Sequence, residues 1–220
     1  MRYELGLSQI DELLGGVPEG TNLLVKGTSV SGRDDFVRAV VTQGIGNDNS
    51  TVYVTTDRSA DEILETYSCD NDRLGVVDCV TKSRGVEEPE ETETVKFASS
   101  PSDMTGVGVK VSTLLERIRD RRGIEGNRVL VESVSTLLMY SNLETVFRFL
   151  HVFTGRIRSI DGIGIFVIDS EMHDEKDYHT LRQLFDGVVE VESEDGETRV
   201  RIVGLMEEPT EWIRLTDDAD

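Results

Sequence analysis

The chain has 220 residues, and 43 acidic against 23 basic side chains give it a net charge of −20, which disfavours binding to nucleic acid. With 37% hydrophobic and 30% charged residues, the composition excludes a disordered chain and predicts one α/β domain over residues 1–220. No apolar run approaches the roughly 20 residues that cross a bilayer, and MRYELGLSQI lacks a signal-peptide core, so we expect a cytoplasmic protein without membrane contact.

Strand-like and helix-like segments alternate through the first half of the chain. The predicted elements are a buried strand at 22–27, a helix at 34–44, a β-branched strand at 50–56, a helix at 59–67 with Ser59 as its N-cap, and a strand at 76–80. The acidic stretch at 83–94 then predicts a flexible, solvated loop.

The second half continues the alternation. It predicts a short strand at 95–100, a helix from about Thr105 to about Gly123, a buried strand at 127–133, an amphipathic helix at 143–159, a strand at 162–169 and a helix near 178–185. Residues 187–205 predict two strands around a turn at Asp195-Gly196. The alternation favours a mostly parallel central sheet with helices on both faces, finished by a C-terminal antiparallel hairpin.

A candidate phosphate-binding loop follows the strand at 22–27. Gly27 and Gly32 flank four residues and precede the basic Arg33, which is the glycine spacing of a loop that cradles phosphate at a helix N-terminus. Such a loop normally has lysine where Arg33 stands, and a hydroxyl for Mg²⁺ where Asp34 stands. The candidate nucleotide-binding residues are Gly27, Thr28, Ser29, Val30, Ser31, Gly32, Arg33, Asp34 and Asp35.

The sequence around this loop resembles the KaiC-like branch of the RecA ATPase superfamily. The opening LSQIDELLGGVPEGTNLLVKGTSVSG carries the family's D-x-L-L-G-G, proline and strand in order. Downstream, VYVTTDRSADEI is similar to the family's second strand, RVLVESVSTLL to its Walker B strand and LFDGVVEVE to a late strand. The resemblance covers essentially the whole chain. It implies a RecA-like P-loop core that binds ATP or ADP with Mg²⁺, typically between neighbouring subunits.

Carried over residue by residue, the resemblance identifies altered positions. Asp57 stands nearest to the family's catalytic carboxylate but is shorter than the usual glutamate, and Arg58 follows it in place of a second acid. Glu132 stands at the Walker B position. Where the family often supplies a basic pair to a neighbour's ATP, this chain has Met206, Glu207 and Glu208. Losing an arginine finger alone costs about three to five powers of ten in rate. We therefore predict no efficient hydrolysis and assign no catalytic residue.

The acidic loop residues allow two interpretations. Asp34 or Asp35 caps the following helix and fills the anion site, so that Arg33 pairs inside the chain. Alternatively, the loop binds nucleotide in an altered way, although a carboxylate about 5 Å from a phosphate charge costs about 3 kcal/mol at an effective dielectric near 20.

Other candidate chemistry is weak. His173 and His179, with Asp174 or Asp177 between them, have a spacing that suits neither a strand nor a helix, which predicts solvated loop residues rather than a metal site. Ser133 and Ser135 have no histidine at motif spacing for a hydrolase triad. His151, beside Phe149 and Val152 on the amphipathic helix, is predicted to be a packing or boundary residue. Cys69 and Cys79 are predicted to be reduced, without a second pair for zinc.

Only five of the 23 basic residues are lysine, a composition typical of salt-in halophiles, and we expect a haloarchaeal protein; an ordinary acidic protein is the alternative. The leading functional hypothesis is a degenerate KaiC/RecA-like module for regulation or signal transduction. Its partner would be a protein, either a second copy or a related RecA-like protein. The alternatives are a nucleotide-binding switch with slow hydrolysis and a RecA-like recombinase paralogue in DNA repair, which would need a basic surface.

Overall fold

A computed structural model of the chain describes residues 1–46, 49–67, 72–86, 88–122 and 126–215. The strands are β1 (Arg2–Tyr3), β2 (Val17–Pro18), β3 (Asn22–Gly27), β4 (Ser50–Thr55), β5 (Leu74–Asp78), β6 (Val95–Phe97), β7 (Asn127–Val131), β8 (Ile163–Asp169), β9 (Gly187–Glu194), β10 (Glu197–Val203) and β11 (Ile213–Arg214). The helices are α1 (Ser8–Leu14), α2 (Arg33–Gly46), α3 (Ala60–Tyr67), α4 (Met104–Arg122), α5 (Val134–Tyr140), α6 (Leu143–Ser159) and α7 (Glu175–Arg182).

Nine strands form the central sheet in the order β11-β10-β9-β3-β8-β7-β4-β5-β6. The neighbours from β9 to β6 all pair in parallel, whereas β10 pairs antiparallel with both β9 and β11. β1 and β2 form a separate antiparallel pair. The predicted fold class, a mostly parallel sheet ending in an antiparallel hairpin, is confirmed.

Alternating apolar residues divide the core into two layers, one on each face of the sheet. In β3, Leu23 and Val25 pack with Phe36 of α2, while the intervening Leu24 packs on the opposite face. That opposite layer contains Leu114 of α4 among its buried residues. This period of two is what a strand covered on both faces requires. In the described ranges, no helix is long and apolar enough to cross a membrane.

Local capping explains where the helices differ from the prediction. Ser59 forms a reciprocal cap with Glu62 at the start of α3, as predicted. Helix α7 begins three residues earlier than predicted because Asp174 accepts a hydrogen bond from the Asp177 backbone N–H at 2.8 Å. Helix α5 was not predicted; Ser133 caps it by accepting a hydrogen bond from the Thr136 backbone N–H at 3.0 Å.

The acidic stretch at 83–94 lies between a 3₁₀ turn at Lys82–Arg84 and β6. Most of its described side chains are exposed, in agreement with a solvated loop, but Glu91 is anchored. It accepts hydrogen bonds from the ammonium of Lys96 at 3.0 Å and from the Phe97 backbone N–H at 3.3 Å, and its pKa is lowered because these contacts outweigh burial. The flexibility of the loop stays a prediction.

The net charge leads to an expected salt dependence of stability. We expect the melting temperature to be clearly lower in dilute buffer than in multimolar KCl, because the Debye length grows from about 3 Å at 1 M to about 30 Å at 0.01 M and the acidic surface then repels itself. Circular dichroism melts across a KCl series would measure this difference. Equal melting temperatures at both extremes would contradict both the repulsion and the halophile hypothesis.

Candidate functional site

Parallel pairing brings the predicted site residues to one edge of the sheet. Gly27 at the end of β3 is directly opposite Asp169 at the end of β8, and β7 and β4 follow in the same direction. The segments that follow these strands therefore start at the same edge, which is where ligands bind in such sheets. They include the phosphate-loop residues, Asp57 after β4 and Glu132 after β7.

The loop between β3 and α2 is folded tightly on itself. Both the backbone N–H and the hydroxyl of Ser31 donate to the carbonyl oxygen of Thr28, at 3.2 and 2.8 Å. Gly32 has φ of 81° and packs against Thr198 of β10, where an added Cβ would lie 1.9 Å from the threonine hydroxyl oxygen. The loop therefore has a defined shape that needs glycine at position 32.

Arg33 is paired within the chain. Its Nη1 donates to a carboxylate oxygen of Asp169 at 3.2 Å and to the carbonyl oxygen of Gly27 at 3.3 Å. Both partners of this ion pair are mostly buried, with side chains 16% and 13% exposed. A phosphate approaching the loop would meet a guanidinium that a carboxylate already neutralises.

The structure contradicts the proposed helix cap. Asp34 and Asp35 are exposed, and neither carboxylate accepts a backbone N–H within the described ranges. The physical reason is that the N–H groups of Asp35 and Phe36 already donate to the carbonyl of Gly32, at 3.0 and 3.3 Å. Asp34 instead points its carboxylate at Arg33, 3.7 Å from Nε, in an 84% exposed position. The carboxylate that faces Arg33 from inside the protein is Asp169.

Glu132 is the centre of a second, denser cluster. One carboxylate oxygen accepts from Tyr53 and Arg58, at 3.0 and 2.8 Å. The other accepts from the hydroxyl of Thr55 at 2.6 Å and from two consecutive backbone N–H groups, those of Thr56 and Asp57, at 3.1 and 3.2 Å. With five donors, the acceptor capacity of this carboxylate is filled from inside the protein.

The electrostatics of the cluster follow from its burial. Burial and the charge of Glu132 raise the pKa of Tyr53 well above its ordinary value. Burial alone would lower the pKa of Arg58, but the neighbouring Tyr53 and Glu132 raise it, so the guanidinium stays charged. Arg58 also donates to the Tyr53 hydroxyl at 2.8 Å, which closes a triangle of three side chains. The cluster ties the end of β4 to the end of β7.

Asp57 lies beside this cluster. Its carboxylate accepts a hydrogen bond from Thr136 of α5 at 2.8 Å. Its pKa is raised, chiefly because burial disfavours the charged form, with a smaller contribution from Glu132 that Arg33 and Arg58 offset. Asp57, Glu132 and Arg33 are thus close enough to interact electrostatically, as the sequence positions imply.

A contact that the sequence analysis missed lies behind Arg33. The Nε2 of His173 is 2.8 Å from the hydroxyl of Ser135, which also accepts the backbone N–H of Asp169 at 2.9 Å. His173 thus lies in the loop before α7, as predicted, but it is half-buried and bonded to Ser135 rather than fully solvated. Because Ser135 is buried, the pair offers no exposed nucleophile, and its role is to hold the end of β8 in place. No local pattern signals this contact, since 38 residues separate the partners.

The remaining candidates carry no site chemistry in the described residues. His179 is exposed, as predicted, but lies on α7 rather than in a loop. His151 stacks its ring parallel to Phe147 on α6 at a centroid distance of 6.4 Å. The described ranges contain no group of three His, Cys, Asp or Glu residues that could hold a metal ion. Cys79 is a buried free thiol whose pKa burial raises, and Cys69 lies outside the described residues.

The positions where the family places a basic pair are exposed and offer no cation, namely Met206, Glu207 and Glu208. On the preceding strand β10, Arg199 and Arg201 form ion pairs with glutamates of β9 and lie over the ring of Trp212, 5.6 and 4.7 Å from its centroid. A hollow of about 430 Å³ opens between the phosphate loop, β9 and Trp212.

Comparison with solved structures shows the fold. An uncharacterized protein from Pyrococcus horikoshii, crystallised in complex with an unknown peptide, is 13% identical with a TM-score of 0.66, and the match covers 97% of this chain and 100% of that one. A KaiC-like protein from Pyrococcus horikoshii OT3 is 16% identical with a TM-score of 0.65, and the match covers 98% of this chain and 99% of that one. The chain thus has a KaiC-like fold over its whole length.

Comparison with protein sequences and family models identifies the family of this chain. No curated protein matches the chain. The sequence model of a family of unknown function, DUF7504, matches residues 20–191, which include the phosphate loop, Asp57 and Glu132. Since this match spans well over half of the 220 residues, the chain belongs to the DUF7504 family.

Proposed function

We propose that this protein is a regulatory or signalling protein-interaction module that keeps a KaiC-like fold without efficient ATP hydrolysis. The observation that carries the proposal is the internal pairing of the charges at the sheet edge. The charge of Arg33 is neutralised by Asp169, and the carboxylate of Glu132 accepts hydrogen bonds from five donors that include Arg58. A side chain that takes part in ATP hydrolysis has to interact with phosphate, metal or water. The side chains of Arg33 and Glu132 interact instead with other groups of the protein.

The partner that we propose is a protein, either a second copy or a related RecA-like protein, in the cytoplasm of a halophilic archaeon. The structural neighbour from Pyrococcus horikoshii that was crystallised with an unknown peptide supports binding of a polypeptide by this fold. The low lysine share and the net charge of −20 support the halophilic setting.

The proposal predicts that purified protein hydrolyses ATP no faster than a buffer control at high KCl with Mg²⁺. Phosphate release followed over hours would measure this rate. A turnover near one per second that disappears in Arg33→Ala would contradict the proposal. Arg33→Ala is the suitable control, because it leaves the packing of Gly32 against Thr198 in place.

A nucleotide-binding switch with slow hydrolysis is the second candidate, and the shape of the loop favours it. In the described part of the chain, the backbone N–H groups of Arg33 and Asp34 donate to no acceptor, so the helix N-terminus retains donors for an anion. Calorimetry with ADP and with ATP at high KCl separates the two candidates, because only the switch requires saturable binding.

A further inference from the structure

An apolar groove is open to solvent between α4 and α6, on the face of the sheet opposite α2. It has a volume of about 410 Å³, and its apolar lining consists of Met104, Gly108, Val109, Phe149, Val152 and Phe153. Val109 and Val152 are 58% and 65% exposed. The two valines expose apolar surface beside Arg148 and Arg156, and apolar surface with a polar rim is a feature of interaction sites.

The groove uses a second stripe of α6. The helix packs against the sheet through one face, which carries the buried residues Val146, Leu150 and Ile157. The stripe that faces the groove contains Thr145, Arg148, Phe149, Val152 and Arg156, at spacings of three and four residues. Because the sheet is already covered by the first face, the exposed members of this second stripe are not needed for packing of the core.

The rim of the groove is basic on a strongly acidic protein. Arg156 forms no ion pair within the described ranges, and Arg148 pairs only with the exposed Glu144 one helical turn away. The lining of the groove itself includes both arginines and no acidic residue, whereas the neighbouring depression that Arg156 also borders contains Arg119 and Glu116. An apolar floor between arginines is complementary to an amphipathic helix with apolar anchors on one face and carboxylates beside them.

We propose that the groove between α4 and α6 binds an acidic amphipathic helical segment of a partner protein. A second copy of this chain is the weaker occupant, since two chains that each carry −20 repel each other. The inference rests on the proposed function in that it names the docking surface of the interaction module. It does not involve the phosphate loop, so its test has a different readout from the hydrolysis assay.

Two glycines provide a matched pair of variants. A Cβ added at Gly108, in the groove, and a Cβ added at Gly155, on α6 outside the groove lining, would each meet nothing within 4 Å. Both positions are helical, and at each the first side-chain carbon has open space around it. Gly108→Trp therefore fills the groove, whereas Gly155→Trp places the same bulk on exposed surface.

The experiment is a selection of peptides from a phage-displayed library of helices about 16 residues long, randomised on one face, at about 0.15 M and at about 1 M KCl, because salt screens attraction between exposed charges. We expect the selected peptides to combine apolar anchors with an excess of Asp and Glu. Fluorescence anisotropy of the synthesised peptides should show affinity for Gly108→Trp at least about tenfold weaker than for the wild type, and affinity for Gly155→Trp within about twofold of the wild type. Arg156→Glu should lower the affinity for the same acidic peptides and raise the affinity for versions in which lysine replaces the acidic residues.

Four outcomes would overturn the proposal: no enrichment, enrichment of basic peptides, equal binding to the two tryptophan variants, or a wild-type dimer that Gly108→Trp dissociates in sedimentation. The last outcome would identify a second copy as the occupant. ATP hydrolysis by the wild type would contradict the proposed function without affecting the peptide result. Failure of the peptide selection would contradict the docking groove without affecting the hydrolysis result.

Discussion

Glu132→Ala is expected to lower the free energy of unfolding by about 3 kcal/mol, which corresponds to a drop in melting temperature of about 6–12 °C for a domain of this size. The reason is that alanine leaves five donors without their acceptor, among them Arg58 and two backbone N–H groups. Arg58 is 38% exposed and recovers some hydration, which keeps the estimate at the low end for a broken buried pair.

Thermal and urea unfolding would measure this loss, with Glu65→Ala as the control that removes an exposed carboxylate from α3. A double-mutant cycle with Arg58→Ala should show that much of the Arg58 contribution disappears once Glu132 is gone. If Glu132→Ala is as stable as the control, the carboxylate is not a structural acceptor. That result would also contradict the inference that the Glu132 carboxylate is unavailable to metal or water.

Asp169→Asn is expected to raise the affinity for ATP or ADP by about two powers of ten. The change removes a buried negative charge beside Arg33 while keeping an acceptor oxygen. A carboxylate at about 5 Å from a phosphate charge costs about 3 kcal/mol at an effective dielectric near 20. High salt does not cancel this effect, because a buried charge is screened much less than an exposed one.

Calorimetry with Mg²⁺ and nucleotide at high KCl would test this, with Asp61→Asn on the exposed surface of α3 as the charge-matched control. Arg33→Lys combined with Asp34→Thr should give a smaller gain than Asp169→Asn, since Asp34 is exposed and its repulsion is screened. Neither change should produce rapid ATP hydrolysis, because the Glu132 carboxylate keeps its five internal hydrogen-bond donors. Micromolar binding by the wild type, unchanged in Asp169→Asn, would contradict the neutralised loop and favour the switch.

The sequence predicted the fold because its signals are local. Alternating apolar residues define strands such as β3 and β8, and the order of strands and helices leaves few arrangements of a parallel sheet. Gly27, Asp57 and Glu132 lie at one edge because the carboxyl ends of parallel strands meet there. The sequence assigned Asp57 and Glu132 to a site only through the resemblance to KaiC-like proteins.

The internal pairing could not be predicted in the same way. Arg33 and Asp169 are 136 residues apart, and Asp169 was only the last residue of a predicted strand. Their contact depends on the register that sets Gly27 opposite Asp169, which no local pattern encodes. The expected cap by Asp34 or Asp35 was wrong for a related reason: the Gly32 carbonyl accepts the N–H groups of Asp35 and Phe36, and both carboxylates point to solvent.

The packing of Gly32 against Thr198 has a consequence for how the glycine spacing of such loops is interpreted. A side chain at position 32 would collide with the C-terminal hairpin, and one at Gly27 would lie 2.5 Å from the Ser31 hydroxyl. Replacing either glycine would therefore force neighbouring atoms to move, whether or not the chain meets a nucleotide. Packing alone is thus a sufficient reason for this glycine spacing, which on its own does not identify a ligand.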